Sequence, residues 1–375
     1  MIEKKFFIGI DLSFVRPDHK NGGIETYIKN LMHGFEELNY SDEILYFVHE
    51  DTFKEYQLEF SRSHFQVYKS ILSHKLRMLI FQTLTIPRIV KKYGIKVIFE
   101  PTYTSGFLPF STYTIISNPH DLQHKYYPKN FTWLRRLYIN ITSFITFFKS
   151  KRVIAISEYV QKTLCENYPF ILKNKVFTIY NPIRFIEESC VVDWVDYKYI
   201  LSVNALRKNK NIITLLKAYK LIKTTINEKL VLVGIKQDDT DDIMSYIKEH
   251  NLLDNVVIAP FITDEQLKWL YENASLFVTT SLYEGFGMTP VEAMGYGCPT
   301  LSSKDTSLYE VTKGLAEYYE PTQNEQALAD KILNILRDRI IIETEKNKKI
   351  IRQEYDYRII SQKYYAFFHN IANFS

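Results

Sequence analysis

Glu284 and Glu292 stand eight positions apart, across the glycine-rich turn Glu284-Gly285-Phe286-Gly287 and into a helix start at Thr289-Pro290. A strand, a Gly-x-Gly turn and a helix N-terminus in succession make an anion site: backbone N–H groups point outward and the helix dipole favours negative charge. Thr289 can cap that helix, and Pro290 suits its first turn because proline lacks the N–H that would be unpaired there. The simplest account of Thr289-Pro-Val-Glu292 is therefore a capping box, with Glu292 serving only the helix start. That account leaves Glu284 and the two glycines beside it unexplained.

Three other groups carry candidate chemistry. The loop Asn204-Ala-Leu-Arg207-Lys208-Asn-Lys210-Asn211 is basic, and taken alone it reads as a solvated turn. Gly22-Gly23 ahead of Ile24 reads alone as a flexible turn. His120 follows the strand-like run 113–117; a lone histidine is more often structural, but at the carboxyl end of a strand in an open α/β sheet it faces the usual ligand crevice. The acidic run Asp238-Asp-Thr-Asp-Asp242 is not read as a metal site. It precedes the helical pattern at 243–250, where acids complement a helix N-terminus. No His or Cys cluster offers a transition-metal site either.

The elements that must position these residues alternate short apolar runs with longer amphipathic ones, the pattern of strand-helix-strand units around parallel sheets. Residues 6–11, 96–99, 113–117 and 152–156 read as strands of a first α/β unit, with a helix at 24–37. Residues 199–203, 230–234, 256–260, 275–280 and 299–302 read as strands of a second. The expected organisation is an α/β domain at 1–182, a linker at 183–198, a second α/β domain at 199–355 and an aromatic-rich helix at 356–375.

Several motifs in order carry a family resemblance. Glu284-Gly-Phe-Gly, Glu292-Ala-Met and Gly297-Cys-Pro resemble the Glu-seven residues-Glu signature of retaining glycosyltransferases with the GT-B fold, specifically glycosyltransferase family 4, the group 1 glycosyl transferases. Gly22-Gly23-Ile24, His120-Asp121-Leu122, Ile156-Ser157-Glu158, Lys210-Asn211, Asp264-Glu-Gln-Leu267, Tyr271–Ala274 and Leu308-Tyr-Glu310 fall in the family's order. The resemblance implies two Rossmann-like domains facing each other across a cleft, 1–182 for the acceptor and 199–355 for the nucleotide sugar, with the helix at 356–375 packing back on the first. It also implies an enzyme moving a hexose-type sugar from a UDP- or GDP-sugar to a hydroxyl of a glycan or lipid-linked glycan, with retention. The setting it implies is bacterial surface-polysaccharide assembly: O-antigen, capsule or lipopolysaccharide.

The resemblance also assigns roles. Glu284 would contact hydroxyls of the donor sugar and Glu292 the ribose, since a carboxylate accepts two hydroxyl donors at once. Lys210 would bind the diphosphate, Gly22-Gly23 would let backbone approach it, and His120 would lie near the transferred sugar. The family usually has Gly at the position of Asn204 and often Arg at that of Ala205, so Arg207 or Lys208 supplies the second cation from elsewhere. Backbone N–H groups from Gly285 through Phe286 to Gly287 join these cations against the charge of the leaving diphosphate, in place of a metal. No cofactor is expected, and no side chain stands out as a covalent nucleophile. A non-catalytic nucleotide-sugar-binding protein on the same fold is the alternative. A dinucleotide oxidoreductase would need Gly-x-Gly-x-x-Gly after the first strand, which residues 6–25 lack.

Composition narrows the rest. At 375 residues, 46% hydrophobic and 24% charged, the chain fits two folded domains and excludes disordered and fibrous classes. A net charge of +4 is too small for a protein whose main work is neutralising nucleic acid. Cys165, Cys190 and Cys298 are scattered without pairing, which fits a reducing cytoplasm, and residues 6–10 are too short an apolar run for an export signal. The stretches 78–86 and 131–152 mix aromatics with cations as interfacial helices do, so peripheral association with the inner face of the cytoplasmic membrane is one expectation. A core helix with a basic outer face is the other.

Overall fold

A computed structural model describes residues 5–18, 21–103, 106, 113–234 and 239–373. Its contacts divide the chain into two compact units, residues 1–182 with 355–375 and residues 183–354. Asp238 of the acidic run lies outside the described residues, as do 374–375.

The first unit is built on seven parallel strands: β1 (Ile8–Asp11), β2 (Ile44–His49), β3 (His64–Tyr68), β4 (Val97–Glu100), β5 (Thr114–Ser117), β6 (Arg152–Ala155) and β7 (Val176–Thr178). They lie in the order β3-β2-β1-β4-β5-β6-β7. Strands covered on both faces are near-continuous apolar runs, and β1, β2 and β4 are buried at every position, each with a polar residue only at its carboxyl end. The helices that matter below are α1 (Gly23–Glu37), α2 (His74–Ile80), continued by a π turn over Phe81–Thr85, and α3 (Trp133–Lys149). The C-terminal helix, Tyr357–Asn373, inserts Ile360, Tyr364, Phe368 and Ile371 into the cluster that holds Ile8, Tyr27, Leu31 and Phe99. Its approach to α1 leaves no room for a side chain at Gly34, where a Cβ would sit 2.1 Å from Ser361 Oγ.

The second unit has six parallel strands: β8 (Tyr199–Val203), β9 (Lys229–Val233), β10 (Val256–Ile258), β11 (Leu276–Thr279), β12 (Thr300–Ser303) and β13 (Glu317–Tyr319). Their order is β10-β9-β8-β11-β12-β13. Strand order therefore reverses between β8 and β11, and loops leaving the carboxyl ends of those two strands border the crevice such sheets use for ligands. The relevant helices are α4 (Ile212–Ile222), α5 (Asp264–Asn273) and α6 (Met288–Gly295). The stretch 183–198, read from sequence as a linker, belongs to this unit and is strapped to it. Val192 is buried, Cys190 N donates to Glu265 O at 3.1 Å, Lys268 Nζ donates to Glu187 O, and Phe185 packs under Gly295.

Candidate active site

The loop after β8 is held in one shape by its own backbone. A 3-10 turn over Lys208–Lys210 closes with Lys210 N donating to Arg207 O at 2.9 Å, and Asn211 ends it in the left-handed region at φ 54°. Asparagine tolerates that conformation better than most residues. The turn is then pinned to the end of β11. Thr280 Oγ1 donates to Lys210 O at 2.9 Å and to Asn211 O at 3.1 Å, and Leu282 N donates to Asn209 O at 2.8 Å. Bridged in this way across the switch point, Lys210 Nζ meets Glu284 Oε1 at 2.5 Å. The two side chains are only 19% and 14% exposed, so this pair is shielded from the screening that makes surface ion pairs weak.

The Glu284–Gly287 turn is tied down from the loop after β12. Thr306 Oγ1 accepts from Glu284 N at 3.0 Å, and Ser307 Oγ donates to Glu284 O at 3.0 Å and Phe286 O at 2.9 Å. Phe286 is buried and anchors the turn from within. Gly287, at φ 93°, flanks the start of α6, and a Cβ there would meet Leu308 Cδ2 at 2.6 Å. No side chain caps α6, so its opening N–H groups keep the donor capacity that suits an anion.

This arrangement corrects the capping box. The left-handed Gly287 lets the helix begin at Met288, which places Thr289 and Pro290 inside the first turn and Glu292 beyond it. Glu292 instead accepts a hydrogen bond from Tyr271 Oη on α5 at 3.1 Å. Burial pushes its carboxyl up to about 7, and the Tyr271 hydrogen bond pulls the other way. A genuine capping box stands nearby at Thr263 and Gln266, which opens α5.

Arg207 and Lys208 are exposed on the loop, and neither makes an ion pair among the described residues. A cleft of about 580 Å³ adjoins the turn, lined by Leu282, Asp305, Glu320, Pro321, Thr322 and Gln323; none of the residues expected from sequence lines it.

In the first unit Gly22 precedes α1 at φ 64° with open space around its Cβ position, so backbone conformation rather than crowding favours glycine there. Gly23 is the first residue of the helix. His120 lies beyond β5 with its ring edge-on to Tyr27, centroids 4.7 Å apart. Burial lowers its pKa to about 3, which keeps the imidazole neutral, and Nε2 has no partner among the described residues. A neutral imidazole suits hydrogen bonding to a hydroxyl rather than carrying a proton. The switch point of this unit lies between β1 and β4, which end in two buried carboxyls, Asp11 and Glu100. Gln82 donates to Asp11 at 2.7 Å. The sequence reading missed both acids, because each sits inside an apolar strand with no local motif.

Two parallel sheets, one of seven strands and one of six, each with loops bordering a switch point, match the two-Rossmann GT-B fold. Solved structures share this fold: a sucrose-phosphate synthase from Thermosynechococcus elongatus (TM-score 0.78, 19% identity, 99% of this chain and 100% of that one) and HepE of Anabaena in complex with UDP and glucose (TM-score 0.76, 18% identity, 97% and 100%). The family model for glycosyltransferase family 4 matches residues 21–185, and that for glycosyl transferases group 1 matches residues 192–356. The chain belongs to the group 1 glycosyl transferases. Among its relatives, the O-antigen chain mannosyltransferase RfbU of Salmonella typhimurium is 27% identical over 72% of this chain and 73% of its own length. The serotype-specific mannosyltransferase WbdA of Escherichia coli is 29% identical over 47% of this chain, which spans only 23% of WbdA.

Proposed function

We propose that this glycosyltransferase moves a hexose-type sugar from a UDP- or GDP-sugar to a hydroxyl of a glycan or lipid-linked glycan, retaining configuration, in the assembly of a bacterial surface polysaccharide. The observation that carries the reading is the shielded Lys210–Glu284 pair at the β8/β11 switch point, beside the uncapped start of α6. Relatives named as O-antigen mannosyltransferases support the setting, and a fold neighbour bound to UDP and glucose supports the donor class.

In this reading the diphosphate takes over Lys210, with Arg207 and the N–H groups of Gly285, Phe286 and Gly287 as further donors. Glu284, released from Lys210, accepts hydroxyls of the sugar, and Glu292 accepts those of the ribose. The bond from the anomeric carbon to the diphosphate oxygen breaks while the acceptor oxygen bonds to that carbon on the same face. The acceptor proton passes to the departing phosphate oxygen, so no protein nucleophile is required. Preorganised cations and helix-end dipoles stabilise the growing charge without a metal ion, because they need no reorganisation as it forms. Within the first unit, Gly22-Gly23 and His120 keep the roles that the family resemblance implies, backbone approach to a diphosphate and a neutral hydrogen bond to a sugar.

The test is a transfer assay over UDP- and GDP-hexoses, with acceptor supplied and omitted, on the wild type and Lys210→Ala. Loss of one charge-stabilising group costs about 100-fold or more in turnover. The variant is expected to fall by that much while remaining folded. Wild-type turnover in Lys210→Ala would make Lys210 a turn residue only, and a wild type that binds donors without transfer would make the protein a sensor.

A further inference from the structure

Helix α3 buries one face and exposes an apolar stripe on the opposite one. Ile139, Thr142, Ser143, Thr146 and Phe147 are buried against the first unit. At 100° per residue, Trp133, Leu134, Leu137, Ile141, Phe144 and Phe148 fall on one opposite stripe about 100° wide. All six are exposed, Trp133 by 70% and Phe148 by 66%. Residues 72, 76, 80 and 84, on α2 and its flanks, make a second stripe of exposed Leu and Ile four positions apart. The two stripes are neighbours: Lys75 Nζ lies 5.6 Å from the Tyr138 ring centroid, and Gly106 packs on the backbone of Gln82 while accepting from Lys149 Nζ.

The structure thus corrects the expectation of a core helix with a basic outer face. The outer face of α3 is apolar, and the exposed Arg135 and Arg136 fall outside that stripe, toward the other side of the helix. In the stretch 78–86 the residues divide, Met78, Phe81 and Ile86 turning inward while Ile80 and Leu84 face out.

Charge says what covers this face. Residues 69–99 and 122–157 each carry seven Lys or Arg and no Asp or Glu, which leaves 33 cations against 43 acids in the rest of the chain. Lys69 and Arg77 pair with Glu50 and Asp51 from outside these segments, and the segments stay net positive, so a second copy would bring like charge to the contact. An anionic bilayer offers an apolar interior for the stripes and uniform negative charge for the cation-rich segments that carry them, and tryptophan at the edge of such a stripe favours the membrane–water boundary. No described helix is long and apolar enough to cross a membrane, so the contact lies in the interface.

We propose that the outer faces of α2 and α3 dock the protein on an anionic lipid bilayer. The face is read from the first unit alone, and its test needs no transfer activity, so failure here and failure of the functional reading are separate results.

The full chain is sedimented with vesicles of phosphatidylcholine mixed with phosphatidylglycerol, and with phosphatidylcholine alone, at low and high salt. The expected result is pelleting with the anionic vesicles at low salt, weakened by salt. Trp133→Ser/Phe144→Ser/Phe148→Ser is expected to cut the partition coefficient about tenfold or more, since each side chain loses its buried apolar area. These residues are exposed, so the variant keeps its fold, which circular dichroism checks. Brominated acyl chains should quench fluorescence in the wild type and not in Trp133→Phe, because Trp194 and Trp269 lie in the other unit. Absence of pelleting with anionic vesicles, or pelleting unchanged by the triple substitution, would overturn the proposal. So would a dimer in sedimentation velocity that the triple substitution dissolves, which would give the face to a second copy.

Discussion

Glu292→Gln separates a buried ligand-binding carboxyl from a helix cap by its pH dependence. Burial holds the Glu292 carboxyl at about 7, against an ordinary 4.5. The folded protein therefore holds that proton more tightly than the unfolded chain. The resulting stability is fully present below about 4.5 and is lost as pH rises through about 7. At about 1.4 kcal/mol per tenfold, ionising the buried group costs the fold at most about 3 kcal/mol by pH 8, an upper bound because Glu292 keeps part of its surface in water. Glutamine has the same shape, no charge, and an oxygen that can accept from Tyr271. Denaturation of both proteins between pH 4 and 8.5 should show nearly equal stability at the acid end. Toward pH 8 the variant should gain over wild type by up to about 3 kcal/mol. Equal stability of the two proteins at every pH, the result for a carboxyl in water or for a cap that glutamine completes equally well, would refute the reasoning.

Transfer activity should survive EDTA, because Lys210, Arg207 and helix-end N–H groups are assigned the work of a metal; full loss restored by Mn²⁺ or Mg²⁺ would count against that assignment. Gly34→Ala should destabilise the protein by about 1–3 kcal/mol in denaturant titration, as overpacking does, because its Cβ would lie 2.1 Å from Ser361 Oγ and 2.9 Å from Tyr357 O on the C-terminal helix. Unchanged stability would mean that the helix does not sit on α1 in solution.

Much of this architecture is legible locally. Tyr199–Val203 is a strand over the residues its apolar run marks, and Gly23–Glu37 is a helix one residue longer than its pattern. The strands β2, β3, β7 and β13 are not marked in the sequence: β7 and β13 are three residues long, β3, β7 and β13 are edge strands of mixed residues, and β2, buried throughout, has no alternation that tells a strand from a buried helix segment. Thr289-Pro-Val-Glu292 misled because the capping-box pattern is local, whereas the helix start was decided by Gly287 and its φ of 93°. Tyr271 is 21 residues from Glu292, and Thr306 is 22 from Glu284, so no spacing rule could have named them as partners. The Lys210–Glu284 contact spans 74 residues and was read only as two separate motifs; adjacency of β8 and β11 in the sheet is what joins them.

The most direct measurement is calorimetric titration of wild type, Glu284→Gln and Glu292→Gln with a free nucleoside diphosphate and with the matching intact nucleotide sugar. Glu292→Gln should weaken both ligands, because the ribose is common to both and an amide offers one acceptor oxygen where the carboxylate offers two. Glu284→Gln should bind the free diphosphate at least as well as wild type, since Lys210 no longer has Glu284 as an ionic partner, while losing the added affinity that the sugar brings. Wild-type affinity for both ligands in both variants would contradict the account at the two acids on which it rests.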